Sequence, residues 1–178
     1  VKKLWGTTAI TLAWMAERLV RHPEALAACA EDAREGAGRY LTAAVQETLR
    51  MRPPVPVTVR YVSREFDLNG LRVPRGTLLA PDIERMHHHP GLYPDPRRFR
   101  PERFLEQRPG TYTWIPFGGG IHRCLGAGFA LTEARLVMKT ILRRLTFAPD
   151  PSPGEPSRRR TLITAPSRQA RVTLLPAH

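Results

Sequence analysis

Cysteine is scarce in this chain of 178 residues: the two that it has, Cys29 and Cys124, lie far apart in the sequence. Two distant cysteines do not make a disulfide framework, so we expect free thiols and a reducing, cytoplasmic setting. Runs of about 18 apolar residues are also missing, so no transmembrane helix is predicted. The composition is otherwise typical of a globular chain, with 42% hydrophobic and 25% charged residues.

Acidic residues are the second shortage. The chain has 16 Asp and Glu against 28 Lys and Arg, which gives a formal net charge of +12. Such a balance suits a nucleic acid or an acidic protein as partner, or simply a solvated surface rich in arginine. Because no recognised nucleic-acid-binding motif accompanies the charge, we expect no nucleic-acid partner and prefer an acidic protein partner.

The apolar pattern predicts a mainly α-helical chain with small β-sheets, an α+β fold. Apolar residues at helical spacing predict four helices, at residues 4–21, 23–34, 39–51 and 124–147. Between the third and fourth helix, a β-branched stretch and the turn Asn69-Gly70 predict small sheets, and a proline-rich coil follows. The boundaries predicted for these parts are 57–80 for the sheets, 87–116 for the coil and 161–175 for a terminal hairpin with strands 161–164 and 170–175.

The most informative segment is a glycine-rich loop that carries a cysteine, Phe117-Gly118-Gly119-Gly120-Ile121-His122-Arg123-Cys124-Leu125-Gly126. We predict that the cysteine lies in the first turn of a helix, where amide groups favour a negatively charged sulfur. The glycines let a flat, bulky ligand approach the backbone closely. One thiolate with no second cysteine or paired histidine nearby does not complete a zinc site, which needs four ligands. It does suit haem, whose porphyrin supplies four nitrogens to the iron.

Four motifs, in the same order, resemble those of the cytochrome P450 family of haem-thiolate monooxygenases. The first is the cysteine loop, which is similar to F-x-x-G-x-x-x-C-x-G. The second and third are Glu47-Thr48-Leu49-Arg50, similar to E-x-x-R, and Pro101-Glu102-Arg103-Phe104, similar to P-E-R-F. The fourth is Gly6-Thr7-Thr8, which is similar to the end of the long helix over the haem. The resemblance implies that residues 1–178 form the C-terminal part of a single P450 domain of bacterial type. Residues 4–21 would then end the distal helix, 39–51 form the E-x-x-R helix and 124–147 the proximal helix.

The resemblance also implies which residues hold the cofactor, haem b. Cys124 is expected to bind the iron as a thiolate, with Phe117 beside the sulfur. His122 and Arg60 are expected to contact the anionic propionates. Close approach of the backbone to the haem is expected at three glycines, Gly118, Gly120 and Gly126.

Two further roles follow from the resemblance. Glu47, Arg50 and Arg103 are expected to form a buried structural triad that locks the cysteine loop in place. Thr7 keeps the alcohol that is expected to help deliver protons during catalysis. Gly6 stands where the family pattern has an acid.

Two weaker features leave alternatives open. The run His87-His88-His89 invites a metal-site interpretation, but three adjacent side chains cannot share one face of a helix or strand. The resemblance instead places His87 near the haem edge. It also places the region 55–59 beside the substrate, with Thr58 and Val57 as the alternatives for the residue that touches it.

The implied function is a monooxygenase that inserts one oxygen atom from dioxygen into an apolar small molecule, with electrons from a ferredoxin-type or flavoprotein-type donor. The family's chains are more than twice as long as this one, and Lys3 and Leu4 replace small residues of the pattern. We therefore interpret residues 1–5 as sequence foreign to the family. The alternative function, favoured for the chain on its own, is an inactive truncated remnant that binds haem weakly or not at all. A basic binding module is the third and most distant hypothesis.

Overall fold

A computed structural model of the protein describes residues 2–177, apart from the side chains of residues 2–5 and 160. The interpretation of residues 1–5 as foreign sequence lies outside this description. The helices are α1 (Lys2–Leu19), α2 (Pro23–Glu35), α3 (Arg39–Met51), α4 (Ile83–His87), α5 (Arg103–Glu106) and α6 (Ala127–Leu142), with a 3-10 turn at Gly120–His122. The strands are β1 (Arg60–Tyr61), β2 (Phe66–Leu68), β3 (Leu71–Val73), β4 (Leu78–Leu79), β5 (Leu145–Phe147), β6 (Ser157–Arg160), β7 (Ile163–Pro166) and β8 (Leu174–Pro176).

Local chemistry sets the boundaries of the second and third helices. Pro23 takes the first turn of α2, where a missing N–H costs no hydrogen bond. Gly36 ends that helix in the left-handed conformation, at φ 88°, and its N–H donates to the Asp32 carbonyl at 3.1 Å. Gly38, also left-handed at φ 69°, directly precedes α3. Two glycines therefore turn the chain between helices that pack against each other.

Four long helices, α1, α2, α3 and α6, enclose the apolar core, and α3 contacts the other three. Fully buried side chains from all four meet there, and burying each large one contributes about 1.5–3 kcal/mol. The most deeply buried are Met15, Leu19, Cys29, Leu41, Ala44, Met138 and Leu142. Because α3 also carries the E-x-x-R motif, that motif lies inside the core rather than on the surface.

The strands form four two-stranded antiparallel sheets, β1 with β4, β2 with β3, β5 with β8 and β6 with β7. The β2–β3 hairpin turns at Asn69 and Gly70, whose φ angles of 50° and 84° are the positive values that a two-residue turn of this kind requires. The β6–β7 hairpin contacts α1. Within residues 2–177, no helix is both long and apolar enough to cross a membrane.

The predicted fold class is confirmed, but several helix boundaries are wrong. The first helix ends at Leu19 rather than at residue 21. The last helix covers Ala127–Leu142 rather than 124–147. Its predicted end failed because the apolar spacing of residues 142, 145 and 147 suits a helix or a strand equally, and Leu145–Phe147 pairs with β8. The third helix, Arg39–Met51, has the predicted bounds.

The predicted terminal hairpin over 161–175 is wrong in its pairing. Its first strand, Ile163–Pro166, pairs with the preceding Ser157–Arg160, while Leu174–Pro176 pairs with Leu145–Phe147. The strand at 157–160 contains a run of arginines, so apolar alternation gave no sign of it.

The middle of the chain is less regular than the strand pattern predicted. Of the stretch 57–62, only Arg60–Tyr61 forms a ladder, with Leu78–Leu79. Val57 makes a single bridge to Asp82. The predicted coil at 87–116 contains the short helix Arg103–Glu106, whose single turn is too short to show helical periodicity.

Candidate functional site

The cysteine loop is a tight turn whose ends are joined by a hydrogen bond. The Cys124 N–H donates to the Phe117 carbonyl at 2.9 Å, and the Gly118 N–H donates to the Ile115 carbonyl at 2.9 Å. Gly118 and Gly120 have φ angles of 72° and 63°, in the left-handed region where other residues are strained. The turn itself therefore requires glycine at these two positions. The Cys124 thiol is exposed.

Cys124 lies before the helix, which corrects the prediction that it occupies the first helical turn. Helix α6 begins at Ala127, whose N–H donates to the Cys124 carbonyl at 3.3 Å. Leu125 and Gly126 separate the two residues, and a methyl group added at Gly126 would lie 3.9 Å from the Cys124 sulfur, an ordinary contact distance. The helix dipole therefore acts on the thiol only from beyond the helix end.

A cleft of about 550 Å³ opens beside the cysteine loop. Its lining comes from five parts of the chain: α1, the end of α3, the segment after α3, the cysteine loop and α6. Most predicted site residues meet on this lining: Thr7, Arg60, Phe117, Gly118, His122, Cys124 and Gly126. Among the described residues, the predicted cofactor-binding glycine Gly120 lies off the lining, where its backbone conformation shapes the turn.

The cleft wall combines apolar surface with basic side chains. Leu49 and Phe129 belong to the lining, and Phe129 keeps 71% of its side chain exposed. Leu125, directly after the cysteine, is fully exposed. Arg60 is half-buried on β1, and its Nη1 donates to the Val59 carbonyl at 2.9 Å.

This donor set fits haem and does not fit a metal ion held by protein atoms alone. In the part of the chain that the structure describes, no three His, Cys, Asp or Glu side chains cluster closely enough to hold a metal. A single exposed thiol can hold a metal only as part of a cofactor that brings the other metal ligands. Exposed apolar side chains beside the thiol would be covered by a flat apolar group, and Arg60 and His122 on the same lining would meet its anionic edge.

Helix α1 borders the cleft with a run of threonines. Thr7, Thr8 and Thr11 lie on the lining, and the Thr11 hydroxyl donates to the Thr7 carbonyl at 3.0 Å. Gly6 replaces the acid of the family pattern, and no described atom lies within 4 Å of the position that its Cβ would take. A methyl group therefore fits at position 6 among the described atoms.

The structure brings Glu47, Arg50 and Arg103 into contact. Glu47 and Arg50 are fully buried on α3, where Arg50 Nε and Nη2 donate to the two carboxylate oxygens at 2.7 and 2.9 Å. Arg103 Nε donates to Glu47 Oε1 at 3.1 Å, and the Arg100 N–H donates to the same oxygen at 2.9 Å. The carboxylate thus ties α3 both to the coil before α5, through Arg100, and to the first residue of α5, Arg103. This cluster lies away from the described cleft lining.

His87 lies inside the protein and off the described cleft lining, which does not match its expected place at the haem edge. It is fully buried, Arg50 Nη1 donates to its carbonyl at 2.7 Å, and its Nε2 accepts from the Ile115 N–H at 3.0 Å. Its pKa is lowered to about 4, mainly by burial, with a smaller contribution from the positive charge of Arg50 and an opposing one from the backbone hydrogen bond to the Arg50 carbonyl. The His88 and His89 rings each bond to nearby backbone groups, at the Glu84 carbonyl and the Gly91 N–H, so the three histidines do not form one metal site.

Sequence reasoning missed part of the lining. Thr58 lies on it as expected for a substrate-facing residue, whereas Val57 does not among the described residues. Val55 also lies on the lining, inside the region predicted to face the substrate. The lining residues for which no such role was predicted are Thr8, Thr11, Leu49, Pro54, Pro116, Phe129, Ala130 and Glu133. The three on α6 were within reach of prediction, because positions 126, 129, 130 and 133 share one helix face immediately after the cysteine.

Comparison with known proteins identifies relatives of this chain. A family model described as cytochrome P450 matches residues 5–174. The chain is 42% identical over 171 residues to the provisionally named cytochrome P450 137 of Mycobacterium tuberculosis, covering 96% of this chain and 36% of that protein. It is 42% identical over 172 residues to the provisionally named cytochrome P450 135B1 of Mycobacterium bovis, covering 93% of this chain and 36% of that protein.

Solved structures show the same relationship. The crystal structure of CYP175A1 from Thermus thermophilus superposes with a TM-score of 0.82 and 31% identity, covering 97% of this chain and 42% of that one. A six-coordinated cytochrome P450 from the same species gives a TM-score of 0.81 and 30% identity. The chain spans 36% of the length of the curated relatives described above. On its family match and on these relatives, the chain belongs to the cytochrome P450 family.

Proposed function

We propose that this chain forms the cysteine-bearing side of a haem-thiolate monooxygenase, with Cys124 as the axial ligand to the iron of haem b. The observation that carries the proposal is the exposed Cys124 thiol on the lining of a cleft that also presents apolar and basic side chains. When bound, haem would supply the redox chemistry by which one atom of dioxygen is inserted into an apolar small-molecule substrate.

The loop residues hold the sulfur and limit its contact with water. The hydrogen bond from the Cys124 N–H to the Phe117 carbonyl fixes the backbone on both sides of the turn. The Phe117 ring packs edge-on against Trp114, with centroids 6.0 Å apart, so it is anchored to the core while it borders the cleft. Apolar shielding of this kind tunes the potential of a thiolate-bound metal.

The basic residues of the cleft orient the cofactor. Arg60 and His122 lie on the lining, on β1 and in the 3-10 turn, and each is a donor for a propionate carboxylate. Two donors on separate segments define which way a flat molecule sits. Gly118 and Gly126 leave room for its approach.

Thr7 lies on the part of α1 that lines the cleft. Its hydroxyl is the group that acts in proton transfer. Glu47, Arg50 and Arg103 act structurally: they hold α3 and the coil at residues 100–103 together and touch no substrate. Gly6 cannot relay a proton, so proton delivery through α1 depends on Thr7 and water.

The partners follow from the same surfaces. Thr58 and the apolar lining suit an apolar substrate, and dioxygen is the second substrate. The formal net charge of +12 and the exposed Arg123 beside the cysteine suit an acidic electron donor of ferredoxin or flavoprotein type. Two free thiols suit a reducing, cytoplasmic setting.

A second candidate function is a remnant that binds haem weakly or not at all and does not turn over. It is favoured by the 71% exposure of Phe129 on the lining and by the full exposure of Leu125 next to Cys124, which leave apolar surface open to water. An open cleft would let water reach the cofactor and uncouple the reaction.

The test is haemin titration of the chain, followed by the absorption spectrum of the reduced carbon monoxide complex. Cys124→Ser is the test variant and Cys29→Ser the matched control, since Cys29 is buried in the helical core. A thiolate-type spectrum that is lost in the first variant and kept in the second supports Cys124 as ligand. Equal spectra in the wild type and Cys124→Ser contradict it.

Turnover separates the two candidates. Stoichiometric binding with coupled product formation, given a donor and an apolar test substrate, contradicts the remnant. Failure of the folded chain to bind haemin favours it.

A further inference from the structure

A buried histidine joins three segments of the chain. His87, at the end of α4, has no exposed surface. Its carbonyl accepts a hydrogen bond from Arg50 Nη1 at 2.7 Å, and its Nδ1 lies 3.1 Å from the Arg50 carbonyl. On the other side of the ring, Nε2 lies 3.0 Å from the amide nitrogen of Ile115. The imidazole therefore spans from the last turn of α3 to the segment that leads into the cysteine loop.

These contacts fix the tautomer of the ring. A backbone amide can only donate, so Nε2 must accept from Ile115 and carry no proton. The Arg50 carbonyl can only accept, so Nδ1 must carry the proton and donate to it. The ring is thus neutral and uses both nitrogens, and no second proton fits without breaking the bond to Ile115.

Ile115 is the point where this contact reaches the cysteine loop. Its N–H is held by His87, and its carbonyl accepts the Gly118 N–H at 2.9 Å. The next link is the hydrogen bond from the Cys124 N–H to the Phe117 carbonyl. A continuous series of backbone hydrogen bonds therefore runs from the imidazole to the residue that bears the thiol.

We propose that His87 is a positioning residue for the cysteine loop: by holding Ile115, it sets the backbone geometry around Cys124. It touches no substrate and lines no described part of the cleft. Two neighbouring anchors, the hydroxyl of Tyr93 on the Thr113 carbonyl at 2.8 Å and Trp114 Nε1 on the Gln46 carbonyl at 3.1 Å, hold the segment just before Ile115. His87 supplies the contact nearest to the turn itself.

The functional meaning of this inference rests on the proposed role of Cys124, but its test needs no haem. Amide hydrogen exchange is measured residue by residue on the haem-free chain. His87→Leu removes both ring nitrogens, and His87→Gln offers an oxygen and an amide group that can replace them. His88→Leu is the matched control, because His88 is half-buried and bonds only to the Glu84 carbonyl of its own helix, at 2.8 Å.

The expected result is local. In His87→Leu, exchange at the amides of Ile115, Gly118 and Cys124 rises about tenfold or more, since a buried hydrogen bond is lost, while the amides of α2 keep their protection. His87→Gln restores most of the protection, and His88→Leu leaves these three amides unchanged. The pH profile of the reaction of Cys124 with a thiol reagent shifts in His87→Leu and returns towards the wild type in His87→Gln.

Three results would overturn the inference. The first is faster exchange at Ile115 alone, with the Cys124 amide and the thiol profile unchanged. The second is equal loss of protection throughout the chain in both His87 variants, which would make the residue a general core residue. The third needs no variant: nitrogen NMR of the wild type that shows the proton on Nε2 of His87 would contradict the contact with Ile115. Failure to bind haemin would refute the proposed function and leave each of these measurements readable.

Discussion

Replacing Glu47 with glutamine removes the carboxylate that Arg50 and Arg103 both contact. The side chain has no exposed surface and accepts four hydrogen bonds: two from Arg50, one from Arg103 Nε and one from the Arg100 N–H. Glutamine keeps the size of the side chain and one acceptor oxygen. It places an NH₂ group where a donor already points, and it leaves a buried guanidinium without a counter-charge.

The magnitude follows from burial. Removing one partner of a buried ion pair costs about 3–5 kcal/mol, because the remaining charge stays desolvated. Since one acceptor oxygen survives, we expect a loss near the lower end, about 3 kcal/mol. Whole domains have free energies of unfolding of about 5–15 kcal/mol, so this is a large fraction of the total. Arg50→Gln should cost more than Arg103→Gln, because Arg50 makes two bonds to the carboxylate and Arg103 makes one.

Urea unfolding followed by circular dichroism measures this loss. With a slope of about 2 kcal/mol per molar urea, 3 kcal/mol lowers the midpoint by about 1.5 M. The matched control is Glu106→Gln, because Glu106 pairs with Arg100 on the surface, with 60% of its side chain exposed, and surface pairs contribute about 0–1 kcal/mol. Equal midpoints for Glu47→Gln and Glu106→Gln would refute the reasoning that burial makes the Glu47 cluster costly to break.

Three further predictions concern the cysteine loop and its support. Gly118→Ala should lower the free energy of unfolding by about 1–2 kcal/mol, because the φ angle of Gly118 is 72°. Gly119→Ala is the control: its φ angle of −147° suits any residue, so the free energy should change by less than about 0.5 kcal/mol. Equal urea midpoints for the two variants would contradict this. A thiol reagent at mildly basic pH should label Cys124 in the folded chain and Cys29 only after unfolding, because burial raises the pKa of the Cys29 thiol and blocks access of the reagent. Peptide mass mapping measures the labelling of each cysteine, and equal labelling of the two in the folded chain would contradict the fold. Burial lowers the pKa of His87 to about 4, against 6.5 when unfolded, so about 3 kcal/mol of stability that is present in full above pH 6.5 should be lost as the pH falls towards 4. Because glutamine does not titrate, wild type and His87→Gln should have similar free energies of unfolding near pH 7, and the wild type should lose stability relative to His87→Gln as the pH falls; parallel curves would refute it.

Features set by neighbouring residues could be predicted from the sequence. Helix α3 begins and ends where its glycine and prolines indicate, and the contact between Glu47 and Arg50 follows from their spacing on one helix face. The turn at Asn69-Gly70 forms for the same kind of reason, because its backbone conformation is intrinsic to those two residues. In each case the energy that decides the structure comes from within a few residues.

Features set by distant partners could not be predicted in this way. The last strand pairs with Leu145–Phe147 rather than with Ile163–Pro166, and nothing in its own pattern specifies which edge it meets. The place of His87 is similar: its ring contacts Ile115 across 28 positions of sequence, and a single sequence gives no measure of such pairing. Family resemblance brought Arg103 to Glu47, but it misplaced His87, because no quoted motif includes the histidine.

A second buried carboxylate, outside the quoted family motifs, also joins distant segments of the chain. Glu17 on α1 is almost fully buried, accepts from Arg18 Nε and Nη2 at 2.5 and 2.6 Å, and accepts from the Glu155 N–H at 2.8 Å. Glu155 is buried in turn and accepts from the Ala170 N–H at 3.0 Å. This cluster ties the cleft-lining helix to the C-terminal segment with the same chemistry by which Glu47 ties α3 to the coil. Glu47 therefore ties α3 to the coil before α5, and Glu17 ties α1 to the C-terminal segment, although the quoted family motifs mark the first carboxylate alone.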